Sequence, residues 1–194
     1  PHSFARELVE SLVDRFAIRP GGTVADLFVG AGTTILACKR LGINAWGIDI
    51  LPLSAMITQT KVANYHLRPL RAYWSTITAL QSLAPPDSNI PIIQQAFSAA
   101  VRQRLHGILT EILEMVPAGP ARRFFHLGLL NILERVSNTR KDGGWLKIVD
   151  HAGHEAPTAE LVTQLFRATI DTMLNDVERN SDTQAVPGRW SASV

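Results

Sequence analysis

The feature that most constrains the fold is a pair of glycines between a short apolar run and a helical pattern. Residues 23–28 are dense in apolar side chains and predict a buried strand, which Gly30 and Gly32 end. Residues 33–41 then predict a helix, and residues 44–50 predict a second strand. A strand, a glycine turn, a helix and a strand in this order form a βαβ unit, which requires a parallel sheet.

Outside this unit the hydrophobic pattern is mainly helical. Residues 4–16 carry an apolar residue every four positions, which predicts an amphipathic helix. Residues 54–136 are helical in pattern almost throughout, and residues 91–116 form one long amphipathic stretch. Residues 145–149 predict a third strand, and residues 158–177 predict a last helix.

These elements predict an α/β fold with a Rossmann-like βαβ core, a partial sheet and a large α-helical insertion. We expect residues 1–66 to form the core, residues 67–140 the helical insertion, and residues 141–194 a third strand, a helix and a polar tail. Two or three strands are fewer than a complete doubly wound enzyme uses. Either another part of the protein supplies further strands, or the chain is a small, α-rich variant.

Composition excludes several classes of protein. With 46% hydrophobic and 19% charged residues, the chain is not a disordered, acidic or basic tail. It has no apolar run long enough for a membrane span and no signal-peptide pattern, so we expect a cytoplasmic protein without a membrane partner. One cysteine, Cys38, excludes an internal disulfide framework. The net charge of +2 indicates no extended nucleic-acid surface and allows only a local basic patch.

The glycine segment also carries side chains suited to a cofactor. In Asp26-Leu-Phe-Val-Gly-Ala-Gly-Thr-Thr34, the absence of a Cβ at the glycines lets backbone N–H groups approach a ligand. Asp49 ends the second strand, where an acidic residue accepts hydrogen bonds from the ribose of an adenosine cofactor. A dinucleotide site would favour glycine where Ile35 stands, which disfavours a nicotinamide dehydrogenase. The structural alternatives are a turn without a ligand and a helix cap at Asp49.

The same segment resembles the S-adenosylmethionine motif of DNA amino-methyltransferases, Asp-Pro-Phe-x-Gly-Ser-Gly-Thr-Thr. Gly42-Ile-Asn-Ala-Trp-Gly-Ile-Asp49 is similar to that family's second strand, and Pro1-His-Ser-Phe4 to its segment before the first helix. The resemblance covers about the first sixty residues and implies the class I methyltransferase fold. Two departures, Leu27 for proline and Ala31 for serine, leave the backbone contacts unchanged.

The resemblance implies S-adenosylmethionine as the cofactor, with its ribose on Asp49 and its methionine moiety on the loop from Phe28 to Thr34. Phe4 also lies on the apolar stripe of the first helix, so core packing is the alternative role for it. The residues that we expect to bind the cofactor are Ser3, Phe4, Asp26, Phe28, Gly30, Ala31, Gly32, Thr33, Thr34, Asp49 and Ile50.

The implied function is the cofactor-binding part of a DNA methyltransferase that methylates a flipped-out base at an exocyclic amine, N6 of adenine or N4 of cytosine. The family's catalytic motif, Asp/Asn/Ser-Pro-Pro-aromatic, is absent, because the only Pro-Pro, Pro85-Pro86, lies between Ala84 and Asp87. Catalytic residues are therefore unassigned. Since the sequence starts at Pro1 without Met, we expect a segment of a longer protein. The motif would then precede or follow this segment or belong to a second subunit, and the complete enzyme would bind DNA.

Two other classes of function stay open on the sequence. One is a methyltransferase that acts on RNA or a small molecule with the same cofactor-binding half. The other is a non-catalytic module that keeps a degenerate cofactor site as a binding or scaffold element.

Three further groups of side chains have both a functional and a structural interpretation. His151 and His154 have the spacing of a metal pair, but neighbouring Gly and Pro favour a solvated loop, and we expect no metal site. Arg122-Arg123 is more typical of a solvated pair. Arg140-Lys141 is as consistent with DNA phosphate contacts as with solvation, because its string Ser137-Asn-Thr-Arg-Lys141 is similar to one branch of DNA methylases.

Overall fold

A computed structural model describes residues 5–77, 82–85, 90–143, 145–149 and 156–180. The chain divides into two compact units, with the division after Tyr65 and the second unit spanning His66–Glu178. Within the described ranges, no helix combines the length and the apolar character needed to cross a bilayer. The fold is α/β, with the two units built differently.

The first unit contains the predicted βαβ arrangement. Strand β1, Thr23–Asp26, pairs in parallel with β2, Asn44–Gly47, and helix α2, Thr33–Arg40, connects them. Helix α1, Arg6–Arg15, precedes this unit, and α3, Pro52–Val62, follows it with proline in its first turn. The register sets the last residue of β1 opposite the last residue of β2, so the loops that follow the two strands lie side by side.

The inward face of α1 differs from the predicted one. Val9 and Val13 are buried, whereas Leu8 and Leu12 are exposed and Phe16 is 69% exposed. Both sets have the same four-residue spacing, so periodicity alone does not select between two neighbouring stripes of one helix. The described core of this unit consists of Val9, Val13, Val29, Ile35, Ala37, Cys38, Ile43, Ala45 and Val62.

The prediction that residues 23–28 form a buried strand is wrong for β1. Thr23 and Ala25 are exposed, and Val24 and Asp26 are only partly buried. Parallel strands are buried when neighbouring strands and helices cover both edges and both faces. Among the described residues β1 has a strand on one edge only, which leaves its side chains open.

A buried ammonium group joins α2 to the end of α3. Lys39 Nζ donates to Val62 O and to Asn64 Oδ1, each at 2.7 Å. The lysine thereby satisfies a carbonyl at the C-terminus of α3 that has no partner within the helix. Burial lowers the pKa of Lys39. The contact fixes α3 against α2, and α3 carries side chains that touch the glycine loop.

The second unit is helical with one small sheet. Trp74 stacks on Phe125 at a centroid distance of 6.2 Å and meets the edge of Phe166 at 5.7 Å, which packs three helices around one aromatic cluster. Its elements are α4 (Leu67–Thr76), α5 (Pro91–Ala96), α6 (Ala99–Met115), α7 (Pro120–Ile132), β3 (Thr139–Asp142), β4 (Trp145–Ile148) and α8 (Ala159–Arg179).

Two features of this unit differ from expectation. The amphipathic stretch over 91–116 divides at Ser98, whose hydroxyl accepts the Val101 N–H as a helix N-cap. The predicted third strand is β4, but it pairs with β3 in an antiparallel hairpin and does not extend the parallel sheet. The Asp-Gly-Gly sequence before Trp145 is a hairpin signal that would have indicated β3.

The last predicted helix is confirmed as α8, and the expected polar tail beyond residue 180 lies outside the described residues.

Candidate cofactor site

The loop after β1 is built around two left-handed glycines. Gly30 has φ +51° and Gly32 has φ +83°, a region that glycine occupies without the Cβ penalty. Gly32 is also the N-cap of α2, and a Cβ added there would lie 2.7 Å from Thr58 Oγ1. The loop backbone at Gly32 therefore runs directly against α3, whereas at Gly30 only the positive φ favours glycine.

The carboxylate of Asp49 links this loop to the loop after β2. Its Oδ2 accepts the Gly30 N–H at 2.8 Å, and its Oδ1 accepts the Leu51 N–H at 2.9 Å. The Leu51 N–H, followed by the Gly30 N–H and the Ser54 hydroxyl, holds the pKa of Asp49 below its usual value. Asp49 is thus an ionised group that only accepts hydrogen bonds at neutral pH.

This arrangement predicts how Asp49 responds to acid. A carboxyl whose pKa is lower in the folded chain contributes stability above its ordinary pKa, and that contribution is lost as pH falls through the lower, folded value. We therefore expect the amide chemical shifts of Gly30 and Leu51 to change together as pH falls, with a midpoint below pH of about 3.9, the ordinary Asp value. An NMR pH titration measures this. A shared transition with its midpoint above that pH would contradict the bonding scheme. In Asp49→Asn the expected transition should be absent, because the amide side chain does not titrate.

Large apolar side chains are exposed in the two loops that this carboxylate joins. Phe28 follows β1 and is 87% exposed, while its N–H donates to Asp26 Oδ1 at 3.0 Å. Ile50 directly follows Asp49 and is 93% exposed. Leu27 and Leu51 are also more than half exposed. Exposed apolar groups gathered around one polar group are typical of a ligand-binding surface.

The outer side of the loop is fixed by α3. The Thr58 hydroxyl donates to Gly30 O at 3.2 Å, and Lys61 Nζ donates to Ala31 O at 3.0 Å. These contacts hold two loop carbonyls.

Helix α2 has no side-chain cap and no acidic residue in its first turn, so its N-terminal end favours an anionic ligand group.

The structure brings nine of the eleven expected residues to the end of β1, these two adjacent loops and the start of α2. Ser3 and Phe4 lie outside the described residues. Thr34 is buried in the core, whereas Thr33 is half-buried at the helix start. The nine residues are Asp26, Phe28, Gly30, Ala31, Gly32, Thr33, Thr34, Asp49 and Ile50.

The capping alternative for Asp49 is supported in part. Asp49 is not the N-cap residue of α3, which is Leu51, but it accepts the Leu51 N–H and so holds the start of that helix, while it also binds the Gly30 N–H of the other loop. Thr58 and Lys61 are two residues of this site that the sequence did not indicate. Their hydrogen bonds join residues that are 28 and 30 positions apart in the chain, so no local sequence pattern indicates them.

Other side chains with reactive or charged groups lie in the core or bind the backbone. Cys38 is buried, and burial raises the pKa of its thiol, which disfavours the reactive thiolate. Arg122 Nε donates to Val116 O at 2.7 Å and so caps the end of α6. In the part of the chain that the structure describes, no group of three or more His, Cys, Asp or Glu side chains forms a metal site. His151, His154 and Pro86 lie outside that part.

Comparison with known proteins agrees with the sequence resemblance. The model of the DNA methylase family, N6 and N4 type, matches residues 1–58. The Type II methyltransferase M.BsoBI of Geobacillus stearothermophilus is 32% identical over 148 residues, which are 74% of this chain and 29% of that protein. The Type II methyltransferase M.AvaI of Nostoc sp. is 26% identical over 165 residues, which are 75% of this chain and 31% of that protein.

A third relative, the Type II methyltransferase M.MjaII of Methanocaldococcus jannaschii, is 34% identical over 73 residues, which are 36% of this chain and 14% of that protein. The chain thus spans less than a third of the length of each of these relatives. No solved structure matches the chain. On the family model and on these similarities, the chain belongs to the N6-adenine and N4-cytosine DNA methylase family.

Proposed function

We propose that this chain is the S-adenosylmethionine-binding part of a DNA methyltransferase that methylates an exocyclic base amine, N6 of adenine or N4 of cytosine, on a Rossmann-like class I fold. Family membership supports the reaction class, because enzymes of this family generally use S-adenosylmethionine. The observation that carries the proposal is the Asp49 carboxylate, bonded to the Gly30 N–H and flanked by the exposed Phe28 and Ile50.

The residues of these loops fit the chemical groups of the cofactor. A ribose diol needs an acceptor, and each Asp49 oxygen can accept further hydrogen bonds beside the backbone N–H that it already binds. The purine ring and the methylene groups of the methionine chain need apolar contact, which Phe28 and Ile50 offer. The cofactor carboxylate needs N–H donors, which the start of α2 offers.

When bound, S-adenosylmethionine supplies an electrophilic methyl group for transfer to the base amine. In this proposal the chain's own residues bind and orient: Asp49 holds the ribose, and the loop from Phe28 to Thr34 holds the methionine moiety. Thr58 and Lys61 keep that loop in place through its carbonyls. Because the sequence has no Asp/Asn/Ser-Pro-Pro-aromatic motif, we assign orientation of the target amine to a segment or subunit outside it.

Isothermal titration calorimetry tests the proposal. We expect saturable binding of S-adenosylmethionine to the chain, at least about tenfold tighter than binding of NAD, because Ile35 replaces the third glycine of a dinucleotide site. A folded sample that binds neither ligand would contradict the proposal and favour a scaffold role. Equal binding of both ligands would contradict the choice of cofactor.

A further inference from the structure

The β3–β4 hairpin of the second unit carries a concentrated positive charge. Residues 139–148 contain three basic residues, Arg140, Lys141 and Lys147, against one acidic residue, Asp142. The ten residues therefore have a formal charge of +2, which equals the net charge of the whole chain. The hairpin is therefore a locally cationic segment of the chain.

Two of these charges face each other across the hairpin. The antiparallel register makes Arg140 the direct partner of Lys147, and both residues are exposed. Side chains directly opposite in an antiparallel pair lie on the same face, where like charges destabilise the pairing. Among the described residues neither side chain forms a salt bridge, since those found there involve Arg6 and Arg71. Such a pair is stabilised by an anion that contacts both cations.

The base of the hairpin is held firmly in place. The Asn138 N–H donates to Ala96 O at 2.6 Å, and the Val149 N–H donates to Asn138 O at 2.8 Å. Ser137 Oγ and Thr139 Oγ1 lie 2.7 Å apart in a further hydrogen bond. The two cations therefore project from an anchored two-stranded ribbon, and binding an anion needs little additional ordering.

We propose that the β3–β4 hairpin is a DNA-contacting element in which Arg140 and Lys147 bind phosphates of the duplex backbone. A two-stranded ribbon is narrow enough for the major groove, and cations that meet phosphates position a protein on a duplex without reading its sequence. The choice of DNA as the polyanion rests on the proposed function. The charge geometry does not depend on the cofactor loop.

The test is fluorescence anisotropy of a labelled DNA duplex with the full chain at several salt concentrations. Arg140→Gln/Lys147→Gln should reduce the slope of log affinity against log salt by about two, and should weaken binding about tenfold or more at moderate salt. Arg140→Lys/Lys147→Arg keeps both charges and should bind like the wild type. Arg68→Gln/Arg167→Gln removes two exposed charges from α4 and α8 and should leave the slope nearly unchanged.

Three results would overturn the inference: no binding of the duplex by the wild type, an unchanged slope in the Arg140 and Lys147 double variant, or an equal loss in the Arg68 and Arg167 variant. Circular dichroism confirms that each variant is folded, and removal of a like-charge pair is not expected to lower its melting temperature. S-adenosylmethionine calorimetry on the same variants separates the two proposals. If the double variant lowers the salt slope but the wild type binds no S-adenosylmethionine, the proposed function is contradicted and the DNA-contacting role of the hairpin is not.

Discussion

Asp49→Asn is expected to weaken the binding of S-adenosylmethionine by roughly ten- to a hundredfold, because hydrogen bonds to a charged acceptor contribute about 1.5–3 kcal/mol. The substitution keeps the size of the side chain and removes its charge. One carboxylate oxygen becomes an NH2 group that cannot accept a ribose hydroxyl or a backbone N–H. The loss should be visible in the calorimetric dissociation constant.

Asp14→Asn is the matched control, because it removes one carboxylate charge from the exposed surface of α1 in the same unit. We expect its affinity for S-adenosylmethionine to equal that of the wild type. Since Asp49 also holds the Gly30 N–H, the amide spectrum of the variant shows whether the loop keeps its conformation. Wild-type affinity in Asp49→Asn would remove Asp49 from the site.

Gly32→Ala is expected to lower the free energy of unfolding by about 2–5 kcal/mol, measured by urea denaturation. The backbone of Gly32 has φ +83°, which costs a non-glycine residue about 1–2 kcal/mol. The added Cβ also lies 2.7 Å from Oγ1 of Thr58, a fully buried side chain that has little room to move. Displacing Thr58 would further weaken its hydrogen bond to Gly30 O.

Gly21→Ala separates the two contributions. Gly21 has φ +87°, close to that of Gly32, but nothing lies within 4 Å of an added Cβ there. We therefore expect Gly21→Ala to cost only the conformational part, about 1–2 kcal/mol. Combining Gly32→Ala with Thr58→Ala should recover part of the difference. Equal losses in Gly21→Ala and Gly32→Ala would show that the loop does not pack against α3 as described.

The elements next to glycine and proline were predictable from the sequence because those residues fix backbone conformation locally. Gly32 and Pro52 mark the starts of α2 and α3 within one residue. The buried face of α1 was not predictable, because Val9 and Leu8 belong to stripes with the same period and only tertiary packing selects one. The exposure of β1 likewise depends on which neighbours cover it, which a strand's own residues do not specify.

The loops of the candidate site were predictable from the sequence, whereas the side chains that hold those loops in place were not. Asp26, Phe28 and Asp49 stand at characteristic positions after two strands, so the sequence alone predicts that they meet. Thr58 and Lys61 hold the loop from another helix, and Lys39 fixes that helix through its C-terminal carbonyls. Contacts of this kind join residues more than twenty positions apart and leave no periodic signal.

The most direct test of the proposed cofactor site is the mapping of S-adenosylmethionine onto the chain by NMR amide shifts. We expect the largest changes at 28–34 and 49–51, the loops that Asp49 joins, with little change in the second unit. Changes confined to His66–Glu178, or a spectrum of the folded chain that the cofactor leaves unaltered, would contradict it.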